Sequence, residues 1–282
     1  MREAALYSSC LDSSAGESCL WERAVAYGDG VFETIIVFNG FAPLWSYHRT
    51  RLQSSLARLH IQADLADIEQ KLFALMRESG NALLKLIVAR SGGKRGYDAR
   101  AALTSVFSIQ RYPLPQYTSD CLLGVALHVC SHVLSCNPAL AGIKHLNRLE
   151  QVLAASEWNR SWAQEGLLLS DAGNVIECVS SNIFIVSGDV LQTPRLDICG
   201  VAGVMRAVIL QEIAPALHIS VQEARLTLAD FLASDECFVC NSVFGLWPVT
   251  RIDASFIGNG SHAYTAKILQ TLQPFGYGAL YA

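Results

Sequence analysis

The stretch that most limits what this chain can fold into is GLLLSDAGNVIECVSSNIFIVSGDVLQTP, residues 166–194. Its apolar runs are short, rich in Val, Ile and Leu, and broken by Asp-Ala-Gly-Asn and Ser-Gly-Asp turns. Runs of that length cannot make stable helices, so the stretch predicts an antiparallel meander whose apolar positions need a covered face. The second half of the chain is therefore organised around a sheet. CLLGVALHVC before the meander and ECFVCNSVFGLWPVTRID after it supply further strands, and CGVAGVMRAVILQEIA is a glycine-containing loop that opens directly into a helix.

The first half mixes the two periods. YGDGVFETIIVFNGFAPLW predicts a strand, an Asn-Gly turn and a returning strand. SYHRTRLQSSLARLHI carries Leu52, Leu56 and Leu59 at helical spacing, with His48, Arg49 and Arg51 assigned to the first turn. LADIEQKLFALMRESG is a second helix ending at Gly80, and the strands ALLKLIVAR and TSVFSIQRY are joined by SGGKRGYDARAAL. These elements form an α+β unit. Pro113 and Pro115 in YPLPQYTSD disfavour helix and interrupt strand pairing, which sets a boundary between residues 1–115 and 116–282.

With 282 residues, half of them hydrophobic and 16% charged, the chain can bury a sizeable core, and its composition argues against a disordered or highly charged binding tail. A formal charge of -4 gives no global attraction to nucleic acid or anionic membrane, so anion binding has to be local. No apolar run approaches the roughly 18 residues that span a bilayer, and the first residues lack a basic segment followed by a hydrophobic one; the expected compartment is the cytoplasm. Nine cysteines without an export signal are expected to be reduced. Cys237 and Cys240 form the only C-x-x-C, in an apolar stretch that fits core packing better than a metal. His128, Cys130 and His132 share a strand face without an obvious fourth ligand. No metal is expected.

Lysines are scarce: Lys71, Lys85, Lys94, Lys144 and Lys267, against sixteen arginines. Lys71 and Lys267 fit solvated helix faces, Lys85 starts a strand, and Lys94 lies in a polar loop. Lys144, in NPALAGIKHLNRLEQVLAAS, follows a glycine and sits ahead of a helix whose apolar stripe runs through Leu146, Leu149 and Leu153. The positive end of a helix dipole there would push its amine toward the neutral form that Schiff-base chemistry needs; the plain alternative is a solvent-exposed lysine. In GVAGVMR the backbone amides of Val204 and Met205 can cradle a phosphate, or the segment is an ordinary turn. Arg51 could close on the same anion with a forked contact, or be surface charge. Glu177 alternates with apolar neighbours on a strand, where a buried carboxylate needs a cationic partner such as a protonated pyridine nitrogen. Lysine, phosphate cup and lone carboxylate together suggest pyridoxal 5'-phosphate.

YGDGVFET, HRTRL, IKHLNRLEQVL, IECVSSNIF, TPRLDICGVAGVMR and DECFVCNSVFGLWPV carry a resemblance that runs nearly end to end. The chain resembles the class IV aminotransferase family, the fold-type IV pyridoxal-phosphate enzymes, a group that contains branched-chain and D-amino-acid aminotransferases and the aminodeoxychorismate lyases. The resemblance implies a small α/β N-terminal domain and a larger C-terminal pseudo-barrel domain that binds the cofactor, and it implies a homodimer. NPALAGIKHLNRLEQVL and TPRLDxxGVxGxMR look closest to the lyases, which convert 4-amino-4-deoxychorismate to 4-aminobenzoate and pyruvate for folate biosynthesis.

Carried over by position, Lys144 is similar to the cofactor-bearing lysine, Glu177 to the partner of the pyridine nitrogen, Arg51 to the arginine on the phosphate, and Val204 and Met205 to the amide cup. Asn241 and Ser242 stand where relatives place hydroxyls near the phosphate. Met205 replaces a threonine usual in the aminotransferases and Leu149 replaces a tyrosine of the branched-chain enzymes; both departures point away from that branch. The resemblance further implies Lys144 as general base, Lys144 or Thr34 as the acid that protonates the departing enolpyruvyl carbon, and Arg95 and Tyr97 as substrate contacts, the alternative for that loop being a solvated basic segment. An aminotransferase acting on D- or branched-chain amino acids, and a non-catalytic binder of a phosphate ligand, are the other readings.

Overall fold

The computed structural model describes residues 6–8, 22–92, 96–100, 102, 104–159, 161–258, 260 and 262–281. They form two compact units, 1–115 with 143–147 and 116–142 with 148–282. The first unit thus takes back a short segment of chain from beyond Pro115.

In unit 1, the strands are β1 (Leu6–Ser8), β2 (Gly30–Val37), β3 (Ala82–Ser91) and β4 (Thr104–Tyr112), in the antiparallel order β1-β4-β3-β2. The helices are α1 (Glu22–Tyr27), α2 (Trp45–Arg58) and α3 (Leu65–Ser79). Leu52 and Leu56 of α2 and Ile68, Leu72, Leu75 and Met76 of α3 pack on Val31, Ile35, Leu84, Leu86, Val88, Phe107 and Ile109 of the sheet. Each such fully buried side chain contributes roughly 1.5–3 kcal/mol. Asp64 caps α3 by accepting from the amides of Ala66 and Asp67, both at 3.0 Å, and the helix stops at Gly80 with φ 61°, a left-handed conformation that suits glycine. The predicted hairpin after β2 shrinks to a single bridge, Phe38 to Phe41, around Asn39 and Gly40. Pro43 has no N–H for a ladder, and α2 begins two residues later.

Unit 2 holds β5 (Val125–Leu134), α4 (Leu149–Ala154), β6 (Glu165–Ser170), β7 (Asn174–Cys178), β8 (Asn182–Ser187) and β9 (Val190–Pro194). Then come α5 (Val204–Val208), β10 (Ser220–Ala224), β11 (Leu226–Thr227), α6 (Leu228–Leu232), β12 (Glu236–Asn241), β13 (Gly245–Ile252), β14 (Ser255–Phe256) and α7 (Ala263–Leu272). The ten-stranded sheet is mixed, ordered β10-β9-β8-β12-β13-β5-β6-β7-β11, with β14 on β13. Because β7 approaches β8 and β9 without joining their ladders, the sheet curls into a nearly closed pseudo-barrel.

The meander reading holds for two hairpins, β6–β7 and β8–β9, and fails between them. At Val179–Ser181 the chain leaves one branch of the sheet for another: β7 pairs β11, whereas β8 pairs β12. The buried Glu165 carboxylate fixes that corner, accepting from the Ser180 amide at 3.0 Å and the Ser181 hydroxyl at 2.7 Å. The barrel core is built from Val125, Leu167, Ile183, Phe231, Val239 and Val249 and their neighbours.

Candidate functional site

The residues singled out by sequence fall in two neighbourhoods, one in each unit. In unit 1, Lys144 does not stand at a helix start. The helix begins at Leu149, with Arg148 as its N-cap, so the dipole argument for this amine does not apply. Residues 143–147 instead run along the free edge of β2: the Phe32 amide donates to the Lys144 carbonyl and the Leu146 amide to the Gly30 carbonyl, both at 3.0 Å, and Val31 bridges His145. Asn147 continues this edge, donating to the Gly28 carbonyl at 3.2 Å. A Cβ at Gly28 would lie 2.4 Å from the Asn147 amide oxygen, so the turn requires glycine. The Lys144 ammonium lies over the Phe32 ring, 4.4 Å from its centroid.

On the helix-covered face of β2 lies a buried ionic cluster. Glu33 accepts from Arg51 Nε at 2.9 Å and from Arg51 Nη2, while His48 Nδ1 sits 2.7 Å from its second oxygen. Arg51 lies on the second turn of α2, three residues after His48, so helical spacing brings both to the same carboxylate. Burial by itself would raise the Glu33 carboxyl, but the Arg51 charge and hydrogen bonds from His48 and Arg51 outweigh it and hold the group at about 2. Burial lowers the His48 pKa, the Glu33 contacts oppose that, and the Arg51 and Lys144 charges add to it. The imidazole is neutral and donates Nδ1–H to the carboxylate. Glu33 and His48 were missed by sequence reasoning. The signal was present, since Glu33 alternates with Val31 and Ile35 as Glu177 does with its own apolar neighbours.

Thr34 lies on the opposite face of β2, paired with Lys85. Of the loop residues, Arg95 and Lys94 fall outside the described residues. Tyr97 is 88% exposed and its ring meets Tyr27 at 5.2 Å. The loop is tethered at Gly96, whose carbonyl accepts from Arg23 at 2.8 Å and whose amide donates to the Tyr27 hydroxyl at 3.2 Å. Asp29 holds Arg23 and Arg90 in turn.

In unit 2, Glu177 on β7 is 4% exposed and accepts from the Val201 amide at 2.8 Å. Gly200 next to it has φ 84°. Asn182, which sequence reasoning did not single out, donates to the Val201 carbonyl at 2.9 Å and so holds the loop that leads into α5. Gly203 is the N-cap of α5, and a Cβ there would stand 1.8 Å from the Asn182 amide oxygen, so only glycine fits without moving Asn182. Val204 and Met205 are the first buried residues of that helix, where N–H groups have no intrahelical acceptor. Arg206 anchors the turn through Pro194 and Glu223.

Asn241 is occupied structurally. Its side-chain oxygen accepts from the amides of Val243 and Phe244 at 2.9 Å each, and its Nδ2 donates to the Ser180 carbonyl at 3.1 Å. Ser242 comes next in the same turn, its carbonyl taking the Tyr277 hydroxyl.

Among the described residues no group of three or more His, Cys, Asp and Glu side chains is placed to hold a metal ion. Cys237 and Cys240 are buried in β12, where burial pushes both thiols up. His128 turns to Asp253 at 3.2 Å.

Residues 30–252 match the family model described as amino-transferase class IV. The chain is 35% identical over 237 residues to a Vibrio harveyi protein named aminodeoxychorismate lyase, covering 83% of this chain and 87% of the relative. It is 27% identical over 256 residues to a D-alanine aminotransferase of Bacillus licheniformis, covering 89% and 88%. The crystal structure of 4-amino-4-deoxychorismate lyase from Pseudomonas aeruginosa superposes with a TM-score of 0.90 at 36% identity, over 97% of this chain and 100% of that one.

Proposed function

Because the chain belongs to the class IV aminotransferase family and has its fold-type IV architecture, we propose that it is a lyase converting 4-amino-4-deoxychorismate to 4-aminobenzoate and pyruvate. The observation that carries this reading is the near full-length likeness, at 35% and 36% identity, to two proteins named for that reaction. The D-alanine aminotransferase stands further away at 27%. Met205, where the aminotransferases usually carry threonine, and Leu149, where the branched-chain enzymes carry tyrosine, count against the branched-chain branch.

The residues present fit pyridoxal 5'-phosphate. Glu177 is a buried carboxylate suited to a protonated ring nitrogen, and Gly203 sits at the start of α5, where Asn182 already excludes a side chain from the approach to the Val204 and Met205 amides. Lys144 would hold the cofactor covalently through its amine. The two amides would orient the phosphate, Arg51 would add charge to it while keeping its fork on Glu33, and Asn241 and Ser242 would shape the nearby turn. When bound, the cofactor supplies an electron sink for the carbon bearing the substrate's nitrogen.

The protein's own part is proton handling. Lys144 would take the proton from the substrate carbon that bears the nitrogen, as general base, and Glu177 would keep the ring nitrogen of the bound group protonated. Lys144 in its charged form, or the Thr34 hydroxyl, returns a proton to the departing enolpyruvyl carbon. Arg95 and Tyr97 are proposed contacts for the substrate's carboxylates.

The test is a coupled assay in which the protein is incubated with chorismate, glutamine and an aminodeoxychorismate synthase, and 4-aminobenzoate is quantified. Absence of product would sink the lyase reading. Amino transfer from D-alanine or leucine to 2-oxoglutarate would replace it with the aminotransferase reading.

A homodimer belongs to the same proposal. Leu149, Val152 and Leu153, on one side of the short helix α4, are 76%, 59% and 57% exposed, an apolar face that association would cover. Light scattering is expected to give twice the 30.7 kDa chain mass for the wild type and the monomer mass for Leu149→Glu/Leu153→Glu. A monomeric wild type, or a dimer unaffected by both charges, would refute it. No helix among the described residues is long and apolar enough to cross a membrane; the proposed location is cytoplasmic.

A further inference from the structure

In unit 2 the turn between β12 and β13, residues 241–245, is gripped by a segment from much later in the chain. Asn241 closes the turn from within, its side-chain oxygen taking the Val243 and Phe244 amides. Two of the turn's carbonyls are taken from outside: the Tyr277 hydroxyl donates to the Ser242 carbonyl at 3.1 Å and the Tyr281 hydroxyl to the Phe244 carbonyl at 2.7 Å. The Tyr277 ring also lies against Gly245, where a Cβ would stand 3.2 Å from ring atoms and φ is 84°, so both the close approach and the left-handed backbone require glycine. Residues 277–281 thus form a clasp on the turn.

The clasp is itself fixed. The Tyr117 amide donates to the Leu280 carbonyl at 2.9 Å, and Trp247 Nε1 donates to the Tyr281 hydroxyl at 2.9 Å. Burial pushes both phenols up, so each keeps its proton and remains a donor. The turn that they hold adjoins the amide cup through strand register. β12 pairs β8 with Cys240 opposite Asn182, the residue whose side chain stands against Gly203 at the start of α5, and Asn241 donates to the Ser180 carbonyl at 3.1 Å. Any displacement of the turn is therefore felt beside Val204 and Met205.

Resting on the cofactor assignment above, we propose that Tyr277 and Tyr281 are positioning residues for the phosphate end of the cofactor: by holding the Ser242 and Phe244 carbonyls they set the shape of the turn that borders the amide cup. They act through the turn and do not touch the cofactor. A phosphate monoester is bound by several fixed donors at once, so its affinity depends on how well the backbone around it is held before it arrives. The pyridine ring, assigned to Glu177 on β7, does not depend on the turn in that way.

The test uses the full chain freed of cofactor with hydroxylamine, as wild type, as Tyr277→Phe/Tyr281→Phe and as Tyr277→Phe alone. Phenylalanine keeps the rings and removes only the hydroxyls. Each protein is titrated with pyridoxal 5'-phosphate and with pyridoxal, which lacks the phosphate, and bound ligand is read by visible absorbance and borohydride trapping. Kd for pyridoxal 5'-phosphate is expected to rise about tenfold in the double variant and about threefold in the single one, the scale of two and one neutral hydrogen bonds, while Kd for pyridoxal stays within about twofold. Thermal melting of the cofactor-free proteins checks that they are folded at the titration temperature, and the single variant carries the comparison if the double one is not.

Unchanged binding of pyridoxal 5'-phosphate in the folded variants overturns the proposal. So does an equal loss for pyridoxal, which would mark the two hydroxyls as general supports of the barrel. A wild type that binds neither ligand refutes the cofactor assignment and this proposal with it, a result distinct from wild-type binding that the variants retain. The comparison does not depend on whether the bound enzyme acts as a lyase or as an aminotransferase.

Discussion

Lys144→Ala is expected to reduce formation of 4-aminobenzoate by about four orders of magnitude or more, the upper range for loss of a positioned general base, because the same residue is assigned the covalent hold on the cofactor. The fold should survive. The contacts that place residue 144 are made by its backbone, through the Phe32 amide and the neighbouring Leu146–Gly30 bond, and alanine keeps them. The side chain itself lies over Phe32, and its loss there costs little. Circular dichroism and thermal melting should therefore match the wild type, while the visible absorbance of the loaded enzyme and borohydride trapping at residue 144 are lost. Substantial remaining turnover would remove Lys144 from the mechanism.

Replacing Glu33 should have the largest effect on stability. In Glu33→Gln the charge that balances Arg51 disappears from a site where carboxylate and imidazole are both buried, and the expected cost is about 3–5 kcal/mol. Since the cluster is internal to unit 1, that unit should unfold first. Its pH dependence comes from the two perturbed groups. His48 titrates lower in the folded than in the unfolded protein, so its contribution is present above the unfolded value of 6.5 and is lost as pH falls below it. Glu33, lowered from 4.5 to about 2, contributes stability above 4.5 that is lost as pH falls toward 2.

Acid should thus destabilise the wild type in two stages, a first from His48 and a second worth about 3 kcal/mol from Glu33. In Glu33→Gln the second stage should shrink. Denaturant melts at a series of pH values measure this directly, and a variant as stable and as acid-sensitive as the wild type would contradict it.

Local chemistry explains which elements the sequence could announce. Asp64 and Gly80 delimit α3 because a side-chain cap and a left-handed stop are decided within one turn of chain. Glu177 was legible because a carboxylate inside an apolar alternation has few surface explanations. Glu33 sits in the same pattern but was passed over for its neighbour Thr34. Asn182 gave no local sign, since its importance comes from Gly203, which only the fold brings against it.

The errors share a cause. Leu146 lies in the helical period of Leu149 and Leu153, yet its amide is claimed by Gly30, more than a hundred residues earlier, and the helix begins later. β7 and β8 adjoin in sequence, yet each pairs with a strand from the last third of the chain. Pairings at such separation leave no periodic trace in either partner.

The segment 143–147 also bears on how the molecule is made. Until the ribosome has delivered it, β2 exposes an unpaired edge at Gly30 and Phe32, a template for pairing with other chains. Unit 1 cannot mature when residue 115 emerges. It waits for the chain up to residue 147, Lys144 included, so the sheet is sealed by the same few residues that bring the proposed reactive amine, and a nascent chain that stalls earlier has neither.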